Sequence, residues 1–303
     1  MINRPTVFVL GAGASVPYEY PSGIKLVRLI CENLEDPTHT WTKLIIDSDE
    51  DFTFAEISEF RKKLFFSGFE SVDLFLEHQP KYRSVGKAAI AAALMSNEAD
   101  GNLFSFSVKR HWYRYLFGQL SAKFEDFHRN KLSIVTFNYD RSLEHFLFTG
   151  LRQGYGRSED ECKKAMRYIP IVHVHGQLSP LRWQDIDTGR VYRPDTLSGS
   201  TVTKASNNII VVSEGEKKLP KSFKQAFELM IDASHIYFLG FGYNDVNLER
   251  LCLSKLPSGK YIGGSSFGLG TTEKLRIERK WHISLPGVGD DVLGFLKNHV
   301  LFD

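Results

Sequence analysis

The chain has 303 residues, of which 42% are hydrophobic and 24% charged, with a formal net charge of +2. This composition is typical of a soluble globular protein, and the near-neutral charge argues against a surface that binds nucleic acid over its whole extent. The three cysteines lie far apart and none forms a Cys-x-x-Cys pair, which excludes a cysteine zinc ribbon and favours the reducing cytoplasm.

The first predicted element is a short buried strand that runs directly into a glycine turn. Val7–Leu10 is apolar and is followed by Gly11-Ala12-Gly13-Ala14-Ser15. Because glycine has no Cβ, such a turn lets the backbone approach a phosphate, which predicts a nucleotide ligand. Val16 occupies the third position of the dinucleotide fingerprint Gly-x-Gly-x-x-Gly, so a simple tight turn is the alternative. The apolar run is too short for a signal peptide, and no stretch is long enough for a membrane span.

A long helical stretch follows this turn. Helical patterns cover 24–34, 54–66, 71–78, 84–95 and 106–127, without a convincing strand between them. We therefore predict a core of residues 1–23 and 129–303 with a helical insertion, residues 24–128.

Two segments of the insertion admit more than one interpretation. Ser71-Val-Asp-Leu-Phe-Leu76 reads most simply as an N-cap serine that starts an amphipathic helix, and a functional, Asp-containing helix start is the alternative. Lys109–Arg114 mixes basic and aromatic residues, which permits contact with nucleic acid. A solvated helix face or an oligomer contact through Trp112 is the favoured interpretation.

Further strands are predicted in the second half of the chain. They are Leu132–Phe137, Ile169–His175, Asn208–Val212 and His235–Phe241, with weaker candidates at Lys260–Ile262 and His282–Leu285. Their nearly continuous apolar character is typical of strands covered on both faces, and helical stripes such as Phe223–Ile231 separate several of them. This alternation predicts an α/β fold with a doubly wound, mainly parallel, Rossmann-like sheet. Residues 180–206 are largely polar and are predicted to form a long loop or lid.

Polar and glycine residues follow four of the predicted strands. They are Gly11, Gly13 and Ser15; Asn138 and Asp140; His175 and Gly176; and Gly240, Gly242, Tyr243, Asn244 and Asp245. Ligands of open α/β sheets bind outside the carboxyl ends of the strands, so these four ends predict one site.

Single residues of this set have simpler explanations. Asn138 is also suited to holding a turn, and Asp245 to capping a helix. His173 and His175 lie two apart on a strand and share a face, which would suit a metal, but no carboxylate or cysteine stands nearby at ligand spacing.

Taken together, the motifs resemble those of the sirtuin superfamily, in order and in spacing. The matches are Gly11-Ala-Gly-Ala-Ser15, Asn138-Tyr-Asp140, His175-Gly176 and Gly240-Phe-Gly242. The residues of these motifs are more similar still to those of the prokaryotic sirtuin-like branch. This resemblance implies an NAD-consuming effector of anti-phage defence. The resemblance implies that NAD contacts Gly11, Ala12, Gly13, Ser15, Pro21, Asp140, Gly240, Gly242, Tyr243 and Asp245, and that Asn138 and His175 are catalytic.

Two departures separate the chain from deacylating sirtuins. It lacks their four-cysteine zinc module, and Pro21-Ser-Gly-Ile24 lacks the Asp-Phe-Arg that follows their first turn. We therefore expect no zinc, with NAD as a substrate that an NAD⁺ glycohydrolase splits into nicotinamide and ADP-ribose. Asn138 would fix the ribose or the attacking water, and a neutral His175 would accept a proton. The loop from Ser15 to Gly23 is expected to act as a lid over the ligand.

Other functions and the partners follow from the same resemblance. The alternatives are an NAD- or ADP-ribose-binding structural or sensing subunit, an ADP-ribosyltransferase or a deacylase. Expected partners are NAD⁺, further copies of the chain, and a HerA-type hexameric ATPase or another defence sensor, with nucleic acid reached only through a partner. The expected location is the cytoplasm, without a membrane contact.

Overall fold

Five strands form a single parallel sheet in the computed structural model, which describes residues 1–120, 123–212, 219–287 and 289–302. The strands are β1 (Thr6–Leu10), β2 (Leu132–Thr136), β3 (Ile171–His173), β4 (His235–Leu239) and β5 (Tyr261–Gly264). Their order is β3-β2-β1-β4-β5, and all neighbouring pairs are parallel. This order confirms the predicted doubly wound, Rossmann-like fold, with its crossover point between β1 and β4.

Helices account for most of the chain between β1 and β2. They are α1 (Gly23–Asn33), α2 (Thr40–Ile46), α3 (Phe54–Phe66), α4 (Val72–His78), α5 (Arg83–Met95), α6 (Asp100–Phe104) and α7 (Trp112–Leu120). The single helix predicted over 106–127 is shorter, because Arg110 adopts a φ of 60° just before α7 begins. The boundary of the insertion at residues 24 and 128 stays a prediction.

A second set of helices follows β2. It comprises α8 (Ser142–Tyr155), α9 (Glu159–Met166), α10 (Gly199–Asn208), α11 (Lys221–Asp232), α12 (Asp245–Arg250), α13 (Thr271–Trp281) and α14 (Val292–His299). In the described ranges, no helix is both long enough and apolar enough to cross a bilayer.

Alternating side chains of the strands build two apolar layers, one on each face of the sheet. Phe8 and Leu10 of β1 belong to the layer that contains the insertion helices, α8 and α14. Val7 and Val9 belong to the opposite layer, with α11, α12 and α13. The insertion and one face of the sheet therefore share a continuous core.

The prediction of a strand at Asn208–Val212 is wrong. Asn208 ends α10, and Ile209 forms only an isolated antiparallel bridge with Gly176. Ile209 and Val212 are nevertheless buried, so the apolar run reflected burial rather than pairing within the sheet. The weaker candidate at 282–285 likewise makes only an isolated bridge, between Ser284 and Gly263.

The prediction of a loop over residues 180–206 is also wrong in part, because α10 begins within it. This helix starts with a capping box between Ser198 and Thr201 and buries Val202 and Ala205. It packs against α5 and α2. Its β-branched and polar sequence has little intrinsic preference for a helix, so tertiary packing stabilises it.

Candidate functional site

The turns that follow β1 and β4 touch each other at the crossover point of the sheet. The Gly11 N–H donates to the carbonyl of Leu239 at 3.1 Å, and the Gly13 N–H donates to that of Gly240 at 2.9 Å. A Cβ on Gly11 or Gly13 would lie 2.7 or 2.8 Å from the Gly240 oxygen, and Gly240 itself has a φ of 57°. The glycines are therefore required for the packing of one turn against the other, besides any role toward a ligand.

A cavity of about 220 Å³ opens beside these turns at the carboxyl edge of the sheet. Its walls are Gly11, Ala12, Gly23, Ser71, Asp73, Leu74, Glu77, Phe137, Asn138, His175, Phe241, Gly242, Tyr243, Asn244, Val246, Asn247 and Arg250. The structure thus brings the predicted catalytic residues, Asn138 and His175, to one cavity. It lies where ligands of Rossmann-like sheets bind.

The side chain of Asn138 is held in one orientation by its neighbours. Its Nδ2 donates to the carbonyl of Gly11 and to Ser15 Oγ, both at 3.0 Å. Because a carbonyl oxygen only accepts, the nitrogen must face Gly11. Both amide hydrogens are then engaged, so Asn138 can act toward a ligand only as an acceptor, through Oδ1.

Ser15 and Asp140 lie behind Asn138 rather than in the wall of the cavity. Ser15 Oγ donates to Asp140 Oδ2 at 2.7 Å, and the Ser142 N–H donates to Asp140 Oδ1 at 3.1 Å. Burial raises the pKa of Asp140 above its usual range, although these hydrogen bonds oppose the shift. The structure therefore places both residues as supports of Asn138.

His175 is buried and faces the cavity from the end of the third strand. Its Nδ1 lies 3.1 Å from the carbonyl oxygen of Ile210. This oxygen only accepts, so Nδ1 carries the proton and Nε2 is the basic nitrogen. Burial lowers the pKa of His175 below its ordinary value, which keeps the ring neutral at neutral pH.

His173 points away from this cavity. Its Nδ1 donates to the Asn138 carbonyl at 2.8 Å, and its Nε2 bonds to Glu144. Burial opposes protonation, but the Glu144 carboxylate outweighs it and raises the pKa of His173. The two histidines thus have separate partners, and within the described ranges no three possible metal ligands cluster.

Three polar residues of the cavity come from the insertion and were not predicted as site residues. Ser71 Oγ caps α4 by accepting the Leu74 N–H at 3.4 Å, as the simpler interpretation predicted. Asp73 accepts a hydrogen bond from the Tyr139 hydroxyl. Glu77 lies one turn after Asp73 on the same face of α4, and this spacing of two carboxylates was the available signal.

Several of the residues expected to bind NAD lie outside the cavity wall. Gly13, Gly240 and Pro21 do not line the cavity, whereas Gly11, Ala12, Gly242 and Tyr243 do. The Tyr243 hydroxyl donates to the Ser265 carbonyl at 2.8 Å, so its ring is part of the core.

Asp245 also lies outside the cavity wall, turned toward α13. It accepts hydrogen bonds from Trp281 Nε1 at 2.7 Å and from Arg276 at 3.0 Å, and it pairs with Lys280 at 3.0 Å. The Trp281 and Lys280 bonds lower its pKa to about 2. The N-cap of α12 is its neighbour Asn244, which accepts the Val246 N–H.

The segment expected to act as a lid is packed into the core. The ring of Tyr18 stacks on Tyr113 with centroids 3.8 Å apart, and the Tyr20 hydroxyl lies 2.7 Å from that of Tyr192. The interpretation of Trp112 as an oligomer contact is wrong, because its side chain is fully buried and Nε1 donates to the Ala14 carbonyl at 2.7 Å.

Fold and site together define an α/β protein with a Rossmann-like parallel sheet and, at its crossover point, a cavity whose wall carries several polar and charged side chains. No protein-family model matches the chain, and no curated protein does. Among solved structures, it is similar to a Sir2 structure with the inhibitor EX-527, 2'-O-acetyl-ADP-ribose and a deacetylated p53 peptide, at 14% identity over 97% of this chain and 91% of that chain, with a TM-score of 0.35.

Two other solved structures show a comparable likeness. Sir2Tm bound to a propionylated peptide matches at 16% identity, over 97% of this chain and 91% of that chain, with a TM-score of 0.35. A structure described as the structural basis of sirtuin substrate affinity matches at 16%, over 97% and 92%, with a TM-score of 0.37. The likeness is distant, and the fold assignment rests on the strand order and register of the sheet itself.

Proposed function

We propose that this protein cleaves the bond between nicotinamide and ribose in NAD⁺, with water as the acceptor. One observation carries the proposal: Asn138, limited to accepting through Oδ1, and His175, with a basic Nε2, line the same cavity between the two glycine turns. The resemblance of the strand-end motifs to those of sirtuins supports NAD as the ligand.

The reaction needs two things from the side chains, a hydrogen-bond acceptor near the ribose and a proton acceptor for the water. The C1'–N bond breaks and its electron pair leaves with nicotinamide, so the ribose becomes cationic at C1'. Asn138 Oδ1 accepts a hydrogen bond from a ribose hydroxyl or from the attacking water. The water oxygen forms the new bond to C1', and its proton passes to His175 Nε2. A positioned proton acceptor of this kind contributes roughly 10²–10⁴ in rate.

The proposal is tested by incubating purified protein with NAD⁺ and measuring released nicotinamide by chromatography. We expect Asn138→Ala and His175→Ala each to lower kcat by about 10² or more. His128→Ala is the matched control, because His128 is exposed and bonds only to the nearby Glu125 carbonyl in the described structure. Turnover equal to wild type in both site variants would contradict the assigned roles.

A domain that binds NAD or ADP-ribose without cleaving it is the second candidate. It would use the same cavity, whose volume of about 220 Å³ lies below the roughly 300–1,000 Å³ common for sites of drug-sized ligands. A dinucleotide would fit only in part unless the walls move apart. Saturable NAD⁺ binding without release of nicotinamide would support this candidate over the hydrolase.

We further propose that cleavage depletes cellular NAD in anti-phage defence, within an assembly of several copies or with an ATPase or sensor subunit. The support is the likeness of the motifs to the prokaryotic sirtuin-like branch. Cells that express the wild-type protein should lose NAD during infection, whereas cells that express Asn138→Ala should not.

A further inference from the structure

The charges that line the cavity do not suit a dinucleotide as they stand. Asp73 and Glu77 contribute two carboxylates, and Arg250 is the one Lys or Arg among the described lining residues. The pyrophosphate of a dinucleotide carries two negative charges, which two nearby carboxylates would repel. Among the described lining residues, Arg250 is therefore the side chain that can offset the negative charge of such a ligand.

The guanidinium of Arg250 is already engaged in a bidentate pair. Its Nη1 and Nη2 each lie 2.9 Å from an oxygen of Glu77. The two side chains are only 10% and 7% exposed. Arg250 ends α12 and Glu77 belongs to α4, so this pair joins the core to the insertion across the cavity.

The same fork of N–H groups is suited to a phosphate. Arginine binds carboxylate and phosphate through two parallel hydrogen bonds of similar geometry. Glu77 accepts from one N–H on Nη1 and one on Nη2 and neutralises the guanidinium, and Nη2 also lies 3.5 Å from the Val212 carbonyl oxygen. A phosphate at Arg250 therefore meets the Glu77 carboxylate as a rival acceptor and as a nearby like charge.

We propose that Arg250 binds the pyrophosphate of the dinucleotide and that Glu77 competes with the pyrophosphate for it. When Arg250 turns to the phosphate, α4 loses its bond to α12 and the cavity can widen toward the insertion. Glu77 thus sets the affinity for phosphate-bearing ligands. This inference rests on the proposed function, because it assumes a dinucleotide ligand.

The competition is tested by calorimetric titration with two probes, ADP-ribose, which has the pyrophosphate, and adenosine, which is neutral and has no phosphate. Glu77→Gln keeps the size of the side chain and removes its charge. It should bind ADP-ribose roughly tenfold more tightly than wild type. The double variant Glu77→Gln/Arg250→Gln should lose this gain. Adenosine should bind about equally to all variants.

Two design choices keep the result interpretable. The double variant is preferred to Arg250→Gln alone, because the single change would leave Glu77 buried without a partner and endanger folding. Glu59→Gln is the matched control for charge, since Glu59 is an exposed insertion residue paired with Lys81 at 3.0 Å and outside the cavity. It should bind ADP-ribose like wild type.

Four results would overturn the inference. Equal ADP-ribose affinity in wild type and both Glu77 variants would show that Arg250 does not bind the pyrophosphate. If the same wild-type sample still cleaves NAD⁺, that result would contradict the inference and leave the proposed function unaffected. Parallel changes for both probes, or the same gain in Glu59→Gln, would indicate a general effect. A wild-type protein that neither binds ADP-ribose nor releases nicotinamide would contradict the inference and the proposed function together.

Discussion

Asn138 is held by three hydrogen bonds, two on its side chain and one on its main chain, before any ligand arrives. Gly11 and Ser15 accept from its amide, and His173 donates to its main-chain carbonyl. Asp140 in turn holds Ser15. Because these supports are buried and hydrogen-bonded, little reorganisation is needed to present Oδ1, which is how electrostatic stabilisation is most effective.

The environment of His175 makes a prediction about pH. Burial lowers its pKa, so the neutral, basic form persists to lower pH than for an exposed histidine. The acid limb of kcat/KM for NAD⁺ cleavage should therefore have its midpoint below about 6.5. Since the Asp73 carboxylate opposes the shift, Asp73→Asn should move this midpoint lower still. A midpoint at or above 6.5, unmoved in Asp73→Asn, would exclude His175 as the titrating base.

Among the elements of the site, the turn that follows β4 contains two glycines with different roles: Gly240 packs against the first turn, and Gly242 faces the cavity. A Cβ on Gly240 would lie 2.1 Å from the Ala14 nitrogen, whereas a Cβ on Gly242 would meet nothing within 4 Å. Gly240→Ala should therefore lower the free energy of unfolding by more than about 1 kcal/mol. Gly242→Ala should change it by less than about 0.5 kcal/mol but raise KM, because its methyl group points into open space at the cavity wall. Urea denaturation and kinetics measure both, and equal stabilities would contradict this division.

The central strands β1, β2 and β4 were predictable from the sequence because each is short, apolar and almost wholly buried, whereas the edge strands β3 and β5 are only partly buried. The carboxyl ends of β2 and β3 lead to Asn138 and His175, so strand identity alone was enough to predict that these two meet. The helix α10 was not predictable, since its polar sequence gains its stability from packing on α5 and α2. The segment 208–212 is buried like a strand, and burial alone does not specify a partner in the sheet.

At the scale of the whole molecule, the site depends on how the insertion sits against the sheet. Asp73 and Glu77 precede Asn138 by a long stretch of chain, and their shared face on α4 does not by itself indicate that α4 reaches the carboxyl edge. The long-range contacts that bring it there include the pair between Glu77 and Arg250 and the bond between Asp73 and Tyr139. These contacts depend on tertiary packing between segments that are far apart in the chain. No short motif in the sequence indicates such packing.

A buried ion pair also ties the insertion to the core. Arg141 Nε and Nη2 each donate to Glu98 at 2.9 Å, and both side chains are fully buried. Arg141 Nη1 also donates to the Pro180 carbonyl at 2.9 Å. A buried charge is stable only when it is paired and hydrogen-bonded. This contact therefore fixes how residues that follow His175 lie against the insertion.

The proposed hydrolysis of NAD⁺ is tested by cleavage in water enriched in heavy oxygen, with mass spectrometry of the products. We expect nicotinamide and ADP-ribose in equal amounts, with one heavy oxygen in each ADP-ribose, and loss of both products in Asn138→Ala. Intact NAD⁺, or ADP-ribose attached to protein without the heavy oxygen, would contradict it.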